Sequence, residues 1–214
     1  MGKNYRVLYQ ESSGEVVEKK SRFISVMRPV KTEDEAICFI NDIKKKFWDA
    51  RHNCFAYVIG KELQRFSDDG EPNGTAGKPM LDVLVSNNIH DVCVVVTRYF
   101  GGVLLGTGGL VRAYQKSVTE ALATAVVLEP EEGEIISIKT DYNIAGKIKH
   151  IMEKMDIFQN DIIYTENVEI FVVVSDDKKE SFMEKITEAA GGKVEATSVK
   201  NVLYSVYESN LILF

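Results

Sequence analysis

Cysteine is scarce in this chain. Its three copies (Cys38, Cys54, Cys93) show none of the paired spacing of a metal knuckle. A disulfide framework and a structural zinc module are therefore not expected, and a reducing compartment is. Apolar runs of membrane-spanning length are missing, and Met-Gly-Lys-Asn-Tyr-Arg lacks the apolar stretch of a secretory leader, so a cytoplasmic protein without membrane contact is expected. There is no internal repeat and no low-complexity tract. Of three histidines, neither His90 nor His150 sits in a motif. Positive charge is not in excess either: the net charge is −6, and it is unevenly spread. Residues 1–130 carry 17 Lys+Arg against 16 Asp+Glu, whereas residues 131–214 carry 9 against 16. An acidic second half is a poor platform for phosphate backbones, which confines any nucleic-acid contact to local patches of the first half.

What the chain does contain is ordinary globular material, 45% hydrophobic and 27% charged, at a length of 214 that suits two domains. Pro and Gly interrupt the pattern at Glu129-Pro130-Glu131-Glu132-Gly133, where the charge balance also changes. Domains over residues 1–131 and 132–214 are expected. In the first, strands are expected at Tyr5–Tyr9, Glu15–Lys19 and Arg22–Pro29, with Ser12-Ser13-Gly14 as a turn. A helix follows from a Thr32/Glu35 capping box, with Ala36, Ile37, Ile40, Ile43 and Phe47 at helical spacing to about Trp48. Strands at Asn53–Ile59 and Leu63–Phe66 lead to a short helix over Pro79–Ser86. Val92–Thr97 is apolar almost throughout, which predicts a central strand covered on both faces. A long helix after it buries Leu110, Tyr114, Val118 and Ala121. The second half reads β-α-β-β-α-β, the ferredoxin-like split unit, with strands at Glu134–Tyr142, Ile157–Thr165, Val168–Val174 and Ala196–Tyr207.

Chemistry concentrates in two glycine-rich runs, Phe66–Met80 and Thr97–Tyr114, each lying between an expected strand and an expected helix. Glycine lets backbone amides approach a ligand, and a helix start adds partial positive charge. Arg98, Arg112 and Lys78, with the backbone of Gly106, Thr107, Gly108 and Gly109, form one candidate anion site. Asp68, Asp69 and Glu71 either pair those cations or hold a divalent metal against a phosphate. The plain alternative is that acids and bases neutralise each other and fix two tight turns. Ser67, Thr75 and Thr107 lack the surroundings of a nucleophile, and Thr75 and Thr107 read as helix caps or loop-orienting groups. His52 and Cys54 share a strand face. His52 is a candidate ligand contact, while the three thiols read as small buried hydrophobes. Lys44-Lys45-Lys46 reads as a solvated helix face. No catalytic residue, metal or cofactor is assigned.

Ser67-Asp68-Asp69-Gly70-Glu71-Pro72, Gly74-Thr75-Ala76-Gly77-Lys78-Pro79, Arg98-Tyr99-Phe100-Gly101-Gly102 and Gly106-Thr107-Gly108-Gly109-Leu110-Val111-Arg112-Ala113-Tyr114 resemble the signature of the IMPACT family, in its YigZ-like, two-domain bacterial branch. The resemblance covers roughly residues 20–125. It implies an α+β fold: a first domain of the ribosomal protein S5 domain 2-like type, then a ferredoxin-like domain similar to domains III and V of elongation factor G. It also implies a link to translation through protein contacts, as in eukaryotic members, with RNA, the ribosome or a translation factor as partner. The ligand-binding set expected on this footing is His52, Ser67, Asp68, Asp69, Glu71, Thr75, Gly77, Lys78, Arg98, Gly101, Gly102, Gly106, Thr107, Gly108, Gly109 and Arg112. Three function classes stay open: a regulatory protein with an anion or RNA site, a metal-assisted phosphoryl-transfer or hydrolytic enzyme using Asp68, Asp69 and Glu71, and a purely structural two-domain module that docks on another protein.

Overall fold

A computed structural model describes residues 6–214, and the chain divides into two units, residues 6–129 and Pro130–Phe214. The first runs β1 (Arg6–Leu8), β2 (Ser12–Glu18), β3 (Ser21–Pro29), α1 (Glu33–Lys46), β4 (His52–Ile59), β5 (Leu63–Ser67), α2 (Gly77–Ser86), β6 (Ile89–His90), β7 (Val92–Tyr99), α3 (Thr107–Ala123) and β8 (Val127–Leu128). Tyr5, the expected start of the first strand, lies outside the described residues. A five-stranded sheet in the order β2-β3-β7-β4-β5 pairs antiparallel throughout, and a small sheet β6-β1-β8 stands beside it.

β7 is the middle strand, and its run of valines is explained by helices on both faces. Cys93 and Val95 pack with Ala36, Phe39, Ile40 and Ile43 of α1. Val92, Val94 and Val96 pack with Met80 and Leu84 of α2 and with Leu110, Tyr114 and Val118 of α3. All five residues from Val92 to Val96 are fully buried. Antiparallel strands usually alternate because one face meets water; here neither does. On α1 the capping box differs slightly from expectation. Thr32 Oγ1 accepts from the Glu35 N–H, but Glu35 reaches back to the N–H of Lys31, one residue further out. The buried stripe uses Phe39 and leaves Ile37 and Cys38 exposed, so only Cys54 and Cys93 are buried thiols.

Ser12-Ser13-Gly14 is not a turn. These residues are paired within β2 against Met27, Val26 and Ser25. Glycine is needed at 14 for packing: a side-chain carbon there would lie 2.6 Å from the Ala121 backbone nitrogen, so α3 rests directly on the strand. Ser25, opposite, donates from Oγ to the Ser117 carbonyl at 2.7 Å and ties the helix to the sheet.

The second unit runs β9 (Glu131–Thr140), α4 (Tyr142–Met155), β10 (Phe158–Tyr164), β11 (Val168–Ser175), α5 (Asp176–Ala189), β12 (Glu195–Tyr207) and β13 (Asn210–Leu213). Its sheet order β10-β11-β9-β12, antiparallel at every step, is the ferredoxin-like arrangement. Ile136, Ile138, Ile170 and Val172 bury against Ala145, Ile148 and Met152 of α4 and Phe182 and Ile186 of α5. Asp141 starts α4 by accepting from the Asn143 and Ile144 amides. The fifth strand, β13, was not foreseen. Its hairpin turns on Glu208 and Ser209, both at positive φ (48° and 66°), so no glycine or asparagine marks the turn.

Two outcomes follow. Gly14→Ala should destabilise the protein by about 1–3 kcal/mol, read as a lowered midpoint in urea, because backbone and not a flexible side chain blocks the new methyl group. In the second unit, hydrogen bonds from Lys179 and Ser198 hold the buried Glu134 carboxyl below its ordinary value of 4.5. A depressed folded-state value means stability that is present above 4.5 and lost as pH falls through the folded value. Glu134→Gln should therefore lower stability at neutral pH and flatten its decline in acid, measured by urea denaturation across that range.

Candidate functional site

The end of β7 delivers Arg98 to a cavity of about 460 Å³. Antiparallel register sets Arg98 between Phe23 on β3 and His52 on β4, so the three share one face. The side chain is buried, and Nη1 donates to Oε1 of Glu71 at 2.6 Å. The same oxygen accepts from the Tyr114 hydroxyl of α3 at 2.9 Å. The Arg98 guanidinium lies 5.4 Å from the ring centre of Phe23 and 5.7 Å from that of half-exposed Phe100. Its Nε is buried and meets no acceptor among the described residues. Cys54 donates its thiol to the Asp68 carbonyl at 3.0 Å and lies 3.3 Å from the Tyr114 hydroxyl. Burial pushes the Cys54 thiol and the Tyr114 phenol far above their ordinary values, so both stay protonated.

The first glycine-rich run closes on itself. One Asp68 oxygen accepts from the Ala76 and Gly77 amides (3.0 and 2.8 Å) and the other from Gly74 (2.8 Å), so this carboxylate occupies the start of α2. Asp69 accepts from Lys44 Nζ at 2.8 Å and from the Asn53 amide at 2.7 Å, and its carbonyl meets His52 Nδ1 at 2.9 Å. Lys44 is thus a tether from α1 and not part of a solvated face. Ser67 Oγ accepts from the Asp69 amide, and Thr75 donates to the Pro72 carbonyl at 2.7 Å. Thr75 therefore takes the loop-orienting one of its two expected roles, and the helix start is held by Asp68. Gly77 is required because a side-chain carbon would sit 2.7 Å from the Ser67 carbonyl oxygen.

The second run stays open. α3 begins at Gly106 (φ 71°) with no side-chain cap. Its first intrahelical bond joins the Leu110 amide to the Gly106 carbonyl, leaving the amides of Thr107, Gly108 and Gly109 without an intrahelical acceptor. Nothing lies within 4 Å of where a side chain at Gly108 would start, so the fold itself does not demand glycine there. Gly101 is demanded: it packs on the backbone of Lys20 and Ser21. Gly102 turns the loop at positive φ.

Of the expected set, His52, Glu71, Arg98, Gly106 and Thr107 line the Arg98 cavity. Ser67, Asp68, Asp69, Thr75 and Gly77 are not in the lining and hold the first loop together. Lys78 is not in the lining and pairs with Asp82 along α2 at 2.5 Å. Arg112 and Gly109 line a different depression, so the expected convergence of Arg98 with Arg112 does not occur. Phe100, beside Arg98 in the sequence, also lines the cavity, as do Arg51, Leu104, Leu105 and Leu110, which were missed although each is within the glycine-rich run or beside His52. The three acids proposed as metal ligands accept from separate protein donors, and no group of three or more His, Cys, Asp or Glu residues suited to a metal occurs among the described residues.

Removing the acid of the buried pair should be costly. Glu71→Ala leaves Arg98 buried and unpaired, an expected loss of about 3–5 kcal/mol in denaturant. The double variant Glu71→Leu with Arg98→Met should lose clearly less.

Comparison with known proteins gives consistent matches. Residues 19–122 match the Impact N-terminal domain, and residues 138–193 match a domain of unknown function, DUF1949. The IMPACT family member YvyE of Bacillus subtilis is 45% identical over 192 residues, covering 89% of this chain and 88% of that protein. The IMPACT family member YigZ of Escherichia coli is 34% identical over 188 residues, covering 85% and 91%. A crystal structure of a hypothetical protein, 31% identical, superposes with a TM-score of 0.56 over 92% of this chain and 97% of that one.

Proposed function

The chain belongs to the IMPACT family, and on that footing we propose that it is a regulatory binding protein of translation, acting in the cytoplasm without catalysing a reaction, whose Arg98 cavity holds an anionic group of its partner. The observation that carries this reading is a shortage of acceptors on one wall. Arg98, whose Nε lacks an acceptor among the described residues, and Thr107 at the uncapped start of α3 line the same cavity, with His52 and Arg51 beside them. A buried donor without an acceptor costs about 1–3 kcal/mol. A phosphate or carboxylate oxygen would supply what is missing, and a helix start favours it electrostatically. The open space at Gly108 leaves the amides approachable. Asp68 already provides an intramolecular version of this contact at α2.

The enzyme alternative has no comparable support. A metal at Asp68, Asp69 and Glu71 would have to displace backbone amides, Lys44 and Arg98 together. The link to translation comes from kinship alone, and the membrane is not involved in the reading; among the described residues no helix is long and apolar enough to cross one.

Thr107→Asp tests the site by filling it. An acid in the first turn should stabilise α3 by about 0.3–1 kcal/mol. The same carboxylate should compete with an incoming anion. The expected result is a higher unfolding midpoint together with loss of co-sedimentation with ribosomal particles at low salt. Stabilisation with undiminished co-sedimentation would remove the cavity from the functional account.

A further inference from the structure

The other side of the α3 start carries a second feature. Arg112 and Lys116, one helical turn apart, border with Lys19 a depression of about 240 Å³ whose acid is Glu18. Leu105 borders both this depression and the Arg98 cavity, and Gly109 lies in its wall, so the open helix start separates the two. Several other cations of this unit are matched with acids: Arg6 with Glu129, Arg22 with Glu15, Arg28 with Glu11 and Asp42, Lys44 with Asp69, Lys78 with Asp82 and Arg98 with Glu71. Lys19, Arg112 and Lys116 form no ion pair among the described residues. Like charges gathered without partners repel one another, which a bound polyanion would reverse.

We propose that Lys19, Arg112 and Lys116 hold successive phosphates of a single-stranded RNA whose backbone crosses the start of α3 and places a further phosphate in the Arg98 cavity. The proposal rests on the anion reading of that cavity and names its ligand class. Several cations and free amides on both sides of one helix start match repeated anions on a flexible strand. The half-exposed ring of Phe100 at the cavity rim supplies a surface for a base. An acidic protein segment would satisfy the charge, and its competition with RNA is therefore one of the outcomes of the test.

The test is fluorescence anisotropy of a labelled oligouridylate 12-mer with the full-length protein at 50 and 200 mM KCl. Three phosphate contacts predict a log–log salt slope contribution of about −2, and Lys19→Glu/Arg112→Glu/Lys116→Glu should remove it and weaken binding at least ~30-fold at the lower salt. Should the reversal disturb folding by circular dichroism, the glutamine triple variant serves instead, with the same loss of slope expected. Failure of the wild type to bind at 50 mM KCl, an unchanged slope in the variant, tighter binding of duplex RNA, or equal competition by a glutamate 12-mer would each overturn the proposal. Loss of ribosomal co-sedimentation in Thr107→Asp with retention in the triple variant would overturn this proposal while leaving the cavity reading intact.

Discussion

The buried pair between Arg98 and Glu71 holds together the end of the N-terminal unit that carries the candidate site. Three pieces that are distant in sequence meet at one carboxylate oxygen: the end of the central strand through Arg98, the first glycine-rich loop through Glu71 itself, and the long helix through Tyr114. Coulomb attraction alone does not justify burying two charges, since desolvation offsets most of it. What the pair contributes is position. With Glu71 fixed, the loop from Asp68 to Gly77 can fold back over the sheet, and with Tyr114 fixed, the start of α3 faces the same cavity. Phe23 and Phe100 near the guanidinium lower the local dielectric and strengthen both hydrogen bonds.

Two glycine-rich helix starts within one unit have opposite fates, and the difference is a single side chain. α2 is closed by Asp68, whose carboxylate takes three amides and leaves nothing for a ligand. α3 has glycine where a cap would stand and no acid in its first turn. The composition of the two loops is alike, so glycine content alone could not separate a structural turn from an open site. The acids could: the first run carries Asp68, Asp69 and Glu71, whereas the second carries none between Thr97 and Tyr114. Read that way, the first run brings acceptors of its own and the second brings none.

Much of the fold was legible because its periodicities are strong. The valine run of β7 announced burial on both faces, and the βαββαβ order of the second unit was plain from alternating strand and helix patterns. What escaped notice shares one cause, namely backbone behaviour that residue type does not advertise. Gly14 was read as a turn because glycine usually marks one, yet it serves the close approach of α3. The turn preceding β13 uses Glu208 and Ser209 in left-handed conformation, without the residues that favour it. Placement of Arg112 failed for a geometric reason. Leu110, Ala113, Tyr114 and Ser117 define the buried side of α3, which leaves Arg112 on a flank facing β2 and away from Arg98.

That flank changes the electrostatic picture of the unit. A near-neutral total conceals cations that are locally compensated and cations that are not. Arg98 looked like the natural anion receptor because it ends the central strand, but its charge is already met by Glu71, and its Nε lacks an acceptor among the described residues. Arg112, Lys116 and Lys19 keep their full charge and lie nearer water, where each interaction is weaker and screened by salt. A partner meeting both surfaces would gain geometric fit from the buried side and attraction at range from the exposed one. The helix start between them, which has no side-chain cap, is the one element that borders both.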